Sequence, residues 1–250
     1  IGVAMGLTGT DVSKEASDMV LQDDNFATIV ASVREGRTIF DNLRKFVKFS
    51  VAGNLGKVWV MLIVPLLGAP LPLSPLQLLW LNLLTDGLLG LGLGLEPPER
   101  DAMRRPPISP RDGVFAGRHG VQVLWVGTLI GVLSIGVGYA YWIAGAANWA
   151  TMVFATLAFA QVAQALGSRS TTDSILVTGF RANLAGSLII LATVLLQLGA
   201  TQLPGVQAFF ATTSLSLGDF GVCLALSSVV LLALELEKWL LRRGRATALP

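Results

Sequence analysis

The chain has 250 residues, 53% of them hydrophobic and 14% charged, with a mean hydropathy of +0.66. Such a composition excludes an ordinary soluble domain and makes the lipid bilayer the first expected partner. The net charge of +2 is too small to argue for nucleic acid, and the lone Cys223 excludes a disulfide within the chain.

Residues 1 to about 45 are soluble in character. IGVAMG reads as a short strand, TGTDVSKEAS as a turn and helix start capped by Thr10 or Asp11, and DMVL as a second strand. Asp23, Asp24 and Asn25 form a turn, after which FATIVASVREGRTIFDNLRKFVKF carries apolar residues at helical spacing. A small α/β tail thus leads through a helical stalk into the membrane, a geometry that could pass movement from a soluble domain into the bilayer. An amphipathic linker is the alternative. The chain opens inside the first strand, without an initiating Met, a basic start or a cleavage site, and is expected to be a fragment.

Six apolar runs follow, near 46–67, 73–95, 121–142, 151–166, 183–198 and 220–241. The fourth and fifth are short for a span; they extend at either end or lie where protein surrounds them. Arg34, Arg37, Arg44, Lys45 and Lys48 precede or begin the first run. Arg100, Arg104, Arg105, Arg111 and Arg118 follow the second, Arg169 and Arg181 the fourth, and Lys238, Arg242, Arg243 and Arg245 end the last. The loops near 68–72, 143–150 and 199–219 have no Lys or Arg. The positive-inside rule then puts both ends in the cytoplasm.

In the first run Asn54 and Lys57 are three residues apart and share a helix face, and Gly53 and Gly56 permit close approach or local unwinding. The second run, LQLLWLNLLTDGLLGLGLGLEPP, holds Asn82, Thr85 and Asp86 at i, i+3 and i+4, again one face of an α-helix. Asp86 is the only acidic residue in the middle of a long apolar run. A carboxylate at that depth requires a cation, a proton or a polar partner. An ion path is one reading, since Asn and Thr add the neutral oxygens that hard cations take. A structural pair with a basic residue on a neighbouring helix is the other. Lys57 is the natural partner, because the short connection from Gly68 to Pro72 makes the two spans antiparallel neighbours.

The loop EPPERDAMRRPPISPRDG is Pro-rich and basic; it either touches the soluble part or is a plain positive-inside loop. Gly127 with Gly131, and Gly90 with Gly94, are G-x-x-x-G pairs expected to be packing seams. Gln161 and Gln164 in the fourth run could offer oxygens to an ion or bond between helices. Glu235 and Glu237 are expected at the interface, Cys223 in packing, and His119 has no ligand cluster around it.

Taken together, GVAMG, TGTDVSKEASDMVLQDDNFATIV, VREGRTIFDNLRKF, LQLLWLNLLTDG and EPPERDAMRRPP resemble the C-terminal part of type II P-type cation-transporting ATPases. The nearest branch is the calcium pumps of the sarco/endoplasmic reticulum type and their bacterial relatives. The likeness covers the whole chain and is strongest from Gly2 to Pro107. It implies a mainly α fold, a polytopic domain of six transmembrane helices preceded by the α/β tail of a cytoplasmic phosphorylation domain. Residues 1–35 would end that HAD-like domain, 36–45 form the stalk, 46–241 supply helices five to ten of the pump, and 242–250 a cytoplasmic tail.

The family takes phosphate from ATP, with Mg²⁺, onto an Asp in an Asp-Lys-Thr-Gly-Thr motif that this chain lacks. Catalysis would belong to the missing N-terminal part of the same chain, and this piece alone would be inactive. By resemblance, Asn82 and Asp86 match ligands of the family's second calcium site, and Asn54, Thr85 and Asp86 those of the first. Lys57 and Gln161 stand where the two-site pumps have Glu. Lys57 would then act as a counter-charge and Gln161 as a polar contributor, leaving one Ca²⁺ per cycle. A pump for Mn²⁺, Na⁺ or H⁺, or a non-enzymatic six-span protein, are the competing readings. The expected location is a cell membrane; many more Arg than Lys, with frequent Ala and Gly, suggest a bacterial one.

Overall fold

The computed structural model describes residues 1–107, 113, 115 and 118–246. The middle of the Pro-rich loop and the last four residues of the expected tail lie outside them. The chain forms two compact units, residues 1–41 with 97–107, and 42–96 with the remainder.

In the first unit β1 (Val3–Met5) and β2 (Met19–Leu21) pair in parallel, Val3 opposite Met19 and Met5 opposite Leu21. The connection contains α1 (Asp11–Glu15), capped by the Thr10 hydroxyl, which accepts from Ser13 N. The turn after β2 is built by two carboxylates. Asp24, at φ +50°, accepts from Leu7 N and Thr8 N at 2.8 Å and from Thr8 Oγ1 at 2.7 Å. Asp23 accepts from Thr28 Oγ1 at 2.6 Å. Here α2 (Ala27–Leu66) begins; it is one continuous helix of 40 residues that contributes to both units.

The described part of the Pro-rich loop, residues 97–107, belongs to the first unit. Arg37 on α2 donates to the carbonyls of Ala102 and Arg105, both at 2.7 Å, and Arg105 in return pairs with Asp41. The loop therefore touches residues Arg37 and Asp41 of α2, within the soluble stretch that one of the two readings of its composition named.

The hydrogen bond from Thr8, with that from Leu7 N, holds the Asp24 carboxyl below its ordinary value of 3.8. A carboxylate whose folded value is depressed contributes stability above its unfolded value and loses it as the pH falls through the folded one. Protection of the Leu7 and Thr8 amides, taken relative to their intrinsic exchange at each pH, is therefore expected to fall as the pH drops below about 3.8, and Asp24→Asn to remove that dependence. Protection that stays constant across this range in the unsubstituted chain would contradict it.

The second unit is helical. After Gly68, whose φ of +87° suits only glycine, α3 (Pro75–Leu79) starts at a capping box between Ser74 and Gln77. A π-helical segment, Trp80–Thr85, runs on into α4 (Asp86–Gly94). Then come α5 (Arg118–Ile143), α6 (Trp149–Ser168), the short α7 (Ile175–Thr178), a 3₁₀ turn (Arg181–Asn183), α8 (Leu184–Gln202), α9 (Pro204–Phe210) and α10 (Leu217–Ala246).

Among the described residues, six helices are long and apolar enough to cross a membrane, at the six predicted places. The two short runs are each longer as helices, 20 residues over Trp149–Ser168 and 22 over Arg181–Gln202. The fourth span, α6, is also the one that protein surrounds. It packs against α4, α5, α8 and α10, and Phe154, Leu157, Ala155, Ala158 and Ala160 are all buried. Apolar side chains gain little by leaving lipid for protein, so close approach decides helix association there. The alanines supply it for α6. For α5 the seam is Gly127 and Gly131: a Cβ on Gly127 would stand 2.7 Å from Ala52 O, and one on Gly131 2.9 Å from Trp59 Cβ. The second glycine pair departs from expectation. Gly90 lies against the Phe46 ring, but Gly94 has open space around it.

Candidate functional site

Three helices of the second unit bring the site together. α2 carries Lys57, the π-helical segment and α4 carry Asn82 and Asp86, and α6 carries Gln161. Lys57 is 3% exposed, Asp86 5% and Gln161 0%. Lys57 Nζ donates to Asp86 Oδ2 at 2.7 Å and to Asn82 Oδ1 at 2.5 Å. Gln161 Nε2 donates to the other carboxylate oxygen, Asp86 Oδ1, at 2.6 Å. Each oxygen of the buried carboxylate is thus met by a donor from a different helix. Charge is balanced within the cluster: one ammonium, one carboxylate.

Both readings of Gln161 have a counterpart in the geometry. Its amide nitrogen bonds between helices, while its carbonyl oxygen is buried with no hydrogen-bond partner. Gln164 does the same one turn on, donating to Phe49 O at 3.2 Å and leaving Oε1 unpartnered. Gly53 makes room for Gln161, since a Cβ there would lie 2.9 Å from Gln161 Nε2. That is how the glycine beside Asn54 serves the site, by close approach rather than by unwinding α2.

The local backbone differs from the expected α-helix. Residues 80–85 are π-helical, and the N–H of Asp86 reaches back five residues to Leu81 O. The widened turn changes the angular spacing and parts Asn82 from Thr85, while Asn82 and Asp86 still meet at the Lys57 ammonium. Thr85 and Asp86 are buried, while Asn82 is exposed and reaches Lys57 with its carbonyl alone. Asn54 is also exposed; its amide bonds Ser50 on its own helix at 3.4 Å. Asn54 and Lys57 therefore stand on opposite sides of the boundary of the buried face, and Asn54 is not brought to Asp86.

The other polar residues have bonding roles. Glu235 pairs with Lys238 at 2.8 Å and accepts from Ile175 N at 3.3 Å, and Glu237 accepts from Gln122 at 2.6 Å. Beyond the pair within α10, these are contacts to the start of α7 and to α5, more specific than an interfacial position requires. Cys223 is wholly buried against Thr156 and Met152. His119 lies 3.4 Å from Lys48 Nζ. Among the described residues no group of three or more His, Cys, Asp or Glu is gathered. Any hard cation held here would rely on Asp86 and on neutral oxygens such as those of Asn82, Thr85 and Gln161. Sequence reading does not reach a second buried ion pair, Arg169 with Glu96. Both stand at helix ends and look like loop charges; an arginine three residues past an apolar run was the available signal.

Residues 70–240 match the family described as "Cation transporting ATPase, C-terminus". The chain is 43% identical over 232 residues to a protein of Bacillus subtilis (strain 168) named "Calcium-transporting ATPase", covering 92% of this chain and 26% of that protein. It is 35% identical over 260 residues to "Calcium-transporting ATPase 1" of Bacillus cereus, covering 95% and 29%. It is also 35% identical over 243 residues to "Calcium-transporting ATPase type 2C member 1" of Homo sapiens, covering 95% and 26%. The chain thus spans between a quarter and a third of the length of these relatives.

Proposed function

Since this chain belongs to the cation-transporting ATPase C-terminal family, we propose that it is the membrane portion of an ATP-driven pump that moves one Ca²⁺ per cycle. The observation that carries this reading is the buried Asp86 held between Lys57 and Gln161. The names of the relatives support calcium as the cargo.

The chemistry follows from charge. With Lys57 on Oδ2, the pair is neutral and repels no cation but attracts none strongly. A divalent ion can use Asp86 only if the ammonium gives up that oxygen. Gln161 Oε1, Asn82 Oδ1 and the Thr85 hydroxyl would be the neutral oxygens that complete such a site. A second Ca²⁺ would have to occupy space beside a fixed ammonium, and that cost argues for one ion. Further negative charge, as a Glu, would come from the upstream part of the parent. When the ion leaves, Lys57 returns to Asp86 and serves as the counter-charge of the empty state.

ATP and Mg²⁺ belong to the upstream part in this reading, where an aspartyl-phosphate forms. Residues 1–35 would end that domain and residues 36–45 would be the stalk. The unbroken helix Ala27–Leu66 supports a mechanical role for it. The basic loops support cytoplasmic ends and a plasma membrane, with Arg-rich composition favouring a bacterial source.

A second reading, transport of Mn²⁺, Na⁺ or H⁺, is favoured by one feature: the Lys57–Asp86 pair is already neutral. ATP-dependent uptake of radioactive calcium into inverted vesicles carrying the full-length parent separates the two. One Ca²⁺ per ATP is expected. A ratio near two would overturn the one-ion site. No uptake from a parent that still forms its phosphoenzyme would overturn calcium and favour the second reading.

A further inference from the structure

The helix that carries Asp86 is tied down at both ends by side chains of its neighbours. At its start Gln77 Nε2 donates to Phe210 O at 3.0 Å, and Trp80 Nε1 to Gln197 Oε1 at 2.9 Å. The Trp80 and Phe210 rings meet edge to face, 4.8 Å between centroids. At its far end the last carbonyls, which an α-helix leaves without internal partners, are capped from two directions. Asn42 Nδ2 donates to Glu96 O at 2.7 Å and Gly94 O at 3.2 Å, and Asn183 Nδ2 to Gly92 O at 3.2 Å. The Glu96 carboxylate then takes Arg169 Nε at 2.6 Å and Asn183 at 3.0 Å. α2, α6 and α8 all converge on this one helix end.

The ion pair is a poor device for stability alone. Glu96 and Arg169 have side chains 3% and 2% exposed, so both charges are fully desolvated. Yet Arg169 Nη1 and Nη2 are buried without a hydrogen-bond partner, and Arg169 and Glu96 line a cavity of about 10 Å³. A buried pair with unsatisfied donors is often no more stable than two apolar side chains of the same size. What it supplies is geometry: α4 cannot slide or turn here without separating two buried charges. Asp86 lies ten residues earlier, roughly 15 Å along an α-helix. Between Asp86 and the outer tie lies the π-helical segment, the one irregular stretch of this span.

We propose that Glu96 and Arg169 are positioning residues for the cation site: they lock the regular part of this helix to α6 and α8, and thereby fix where Asp86 stands against Gln161. Motion at the site is then taken up in residues 80–85 and not by displacement of α4. The proposal rests on the reading of Asp86 as a cation ligand.

The test uses the full-length parent and two double variants, E96M/R169M and E96Q/R169Q. Each removes both charges, so neither leaves one buried alone, and the second keeps hydrogen-bonding groups should the first fail to fold. Thermal unfolding and half-saturating Ca²⁺ for uptake are measured together. The expected result is an unfolding midpoint close to the parent's with half-saturation raised about tenfold or more, the scale on which supporting residues tune metal sites, and with phosphorylation by inorganic phosphate retained. A folded double variant with unchanged half-saturation would overturn the proposal. Collapse of both variants would also overturn it, since the pair would then be a determinant of folding. If the unsubstituted parent takes up another cation, half-saturation is read for that cation, so a wrong ion and a wrong positioning role give different results.

Discussion

Asp86→Asn in the full-length parent is expected to abolish ATP-dependent cation uptake while phosphorylation by inorganic phosphate survives. An amide keeps the shape of the carboxylate but carries no charge, and Asp86 is the carboxylate that the described residues place at this site. The substitution should also weaken the fold. Lys57 would keep Asn82 Oδ1 as an acceptor but lose its counter-ion while buried. Breaking a buried pair from one side costs about 3–5 kcal/mol. Asp86→Asn combined with Lys57→Met removes both charges and should recover most of that loss. Thermal unfolding would then separate the two effects: the single variant unfolds early, the double one near the parent, and neither transports. Transport by either variant would remove Asp86 from the ion path and leave a purely structural pair.

Lys57→Met should act in the opposite direction on affinity. Without the ammonium, the empty state holds a buried carboxylate with Gln161 as its remaining donor. A cation or a proton must then fill the role of Lys57. If Ca²⁺ relieves even about 1.4 kcal/mol of the cost of that bare charge, its apparent affinity rises about tenfold. Release becomes correspondingly slower, so the maximal rate should fall. Half-saturation and turnover measured across a Ca²⁺ series give both numbers. A rise in affinity confined to alkaline pH would mean that a proton takes the site below it. Unchanged affinity and rate would end the counter-charge reading of Lys57.

The Lys57–Asp86 contact was legible before any coordinates, because two apolar runs joined by a few residues must lie side by side, and a buried carboxylate needs a cation. The positions of the six spans were legible for the same kind of reason: length and apolarity are local properties. The placement of Asn54 was not. Helical periodicity puts Asn54 and Lys57 60° apart, close enough to share a broad face, but it cannot say where the edge of the buried surface falls. Here it falls between them. The glycine pairs show the same limit. Gly127 and Gly131 meet α2 where a Cβ would stand, whereas a Cβ on Gly94 would meet nothing, although the two motifs look alike in the sequence.

By itself, then, the amino-acid sequence determined the number of spans, the short turn that makes the first two neighbours, and the burial of Lys57 and Asp86. Those follow from hydropathy and chain connectivity, which act between residues close in sequence. Tertiary structure alone decided the π-helical turn that parts Asn82 from Thr85, the use of Gln161 on the second carboxylate oxygen, and the convergence of Asn42, Arg169 and Asn183 on the end of α4. Each depends on how closely distant helices approach. In a bilayer that distance is governed by small residues meeting across an interface and by polar groups finding partners, and neither can be assigned until the helices have been brought together.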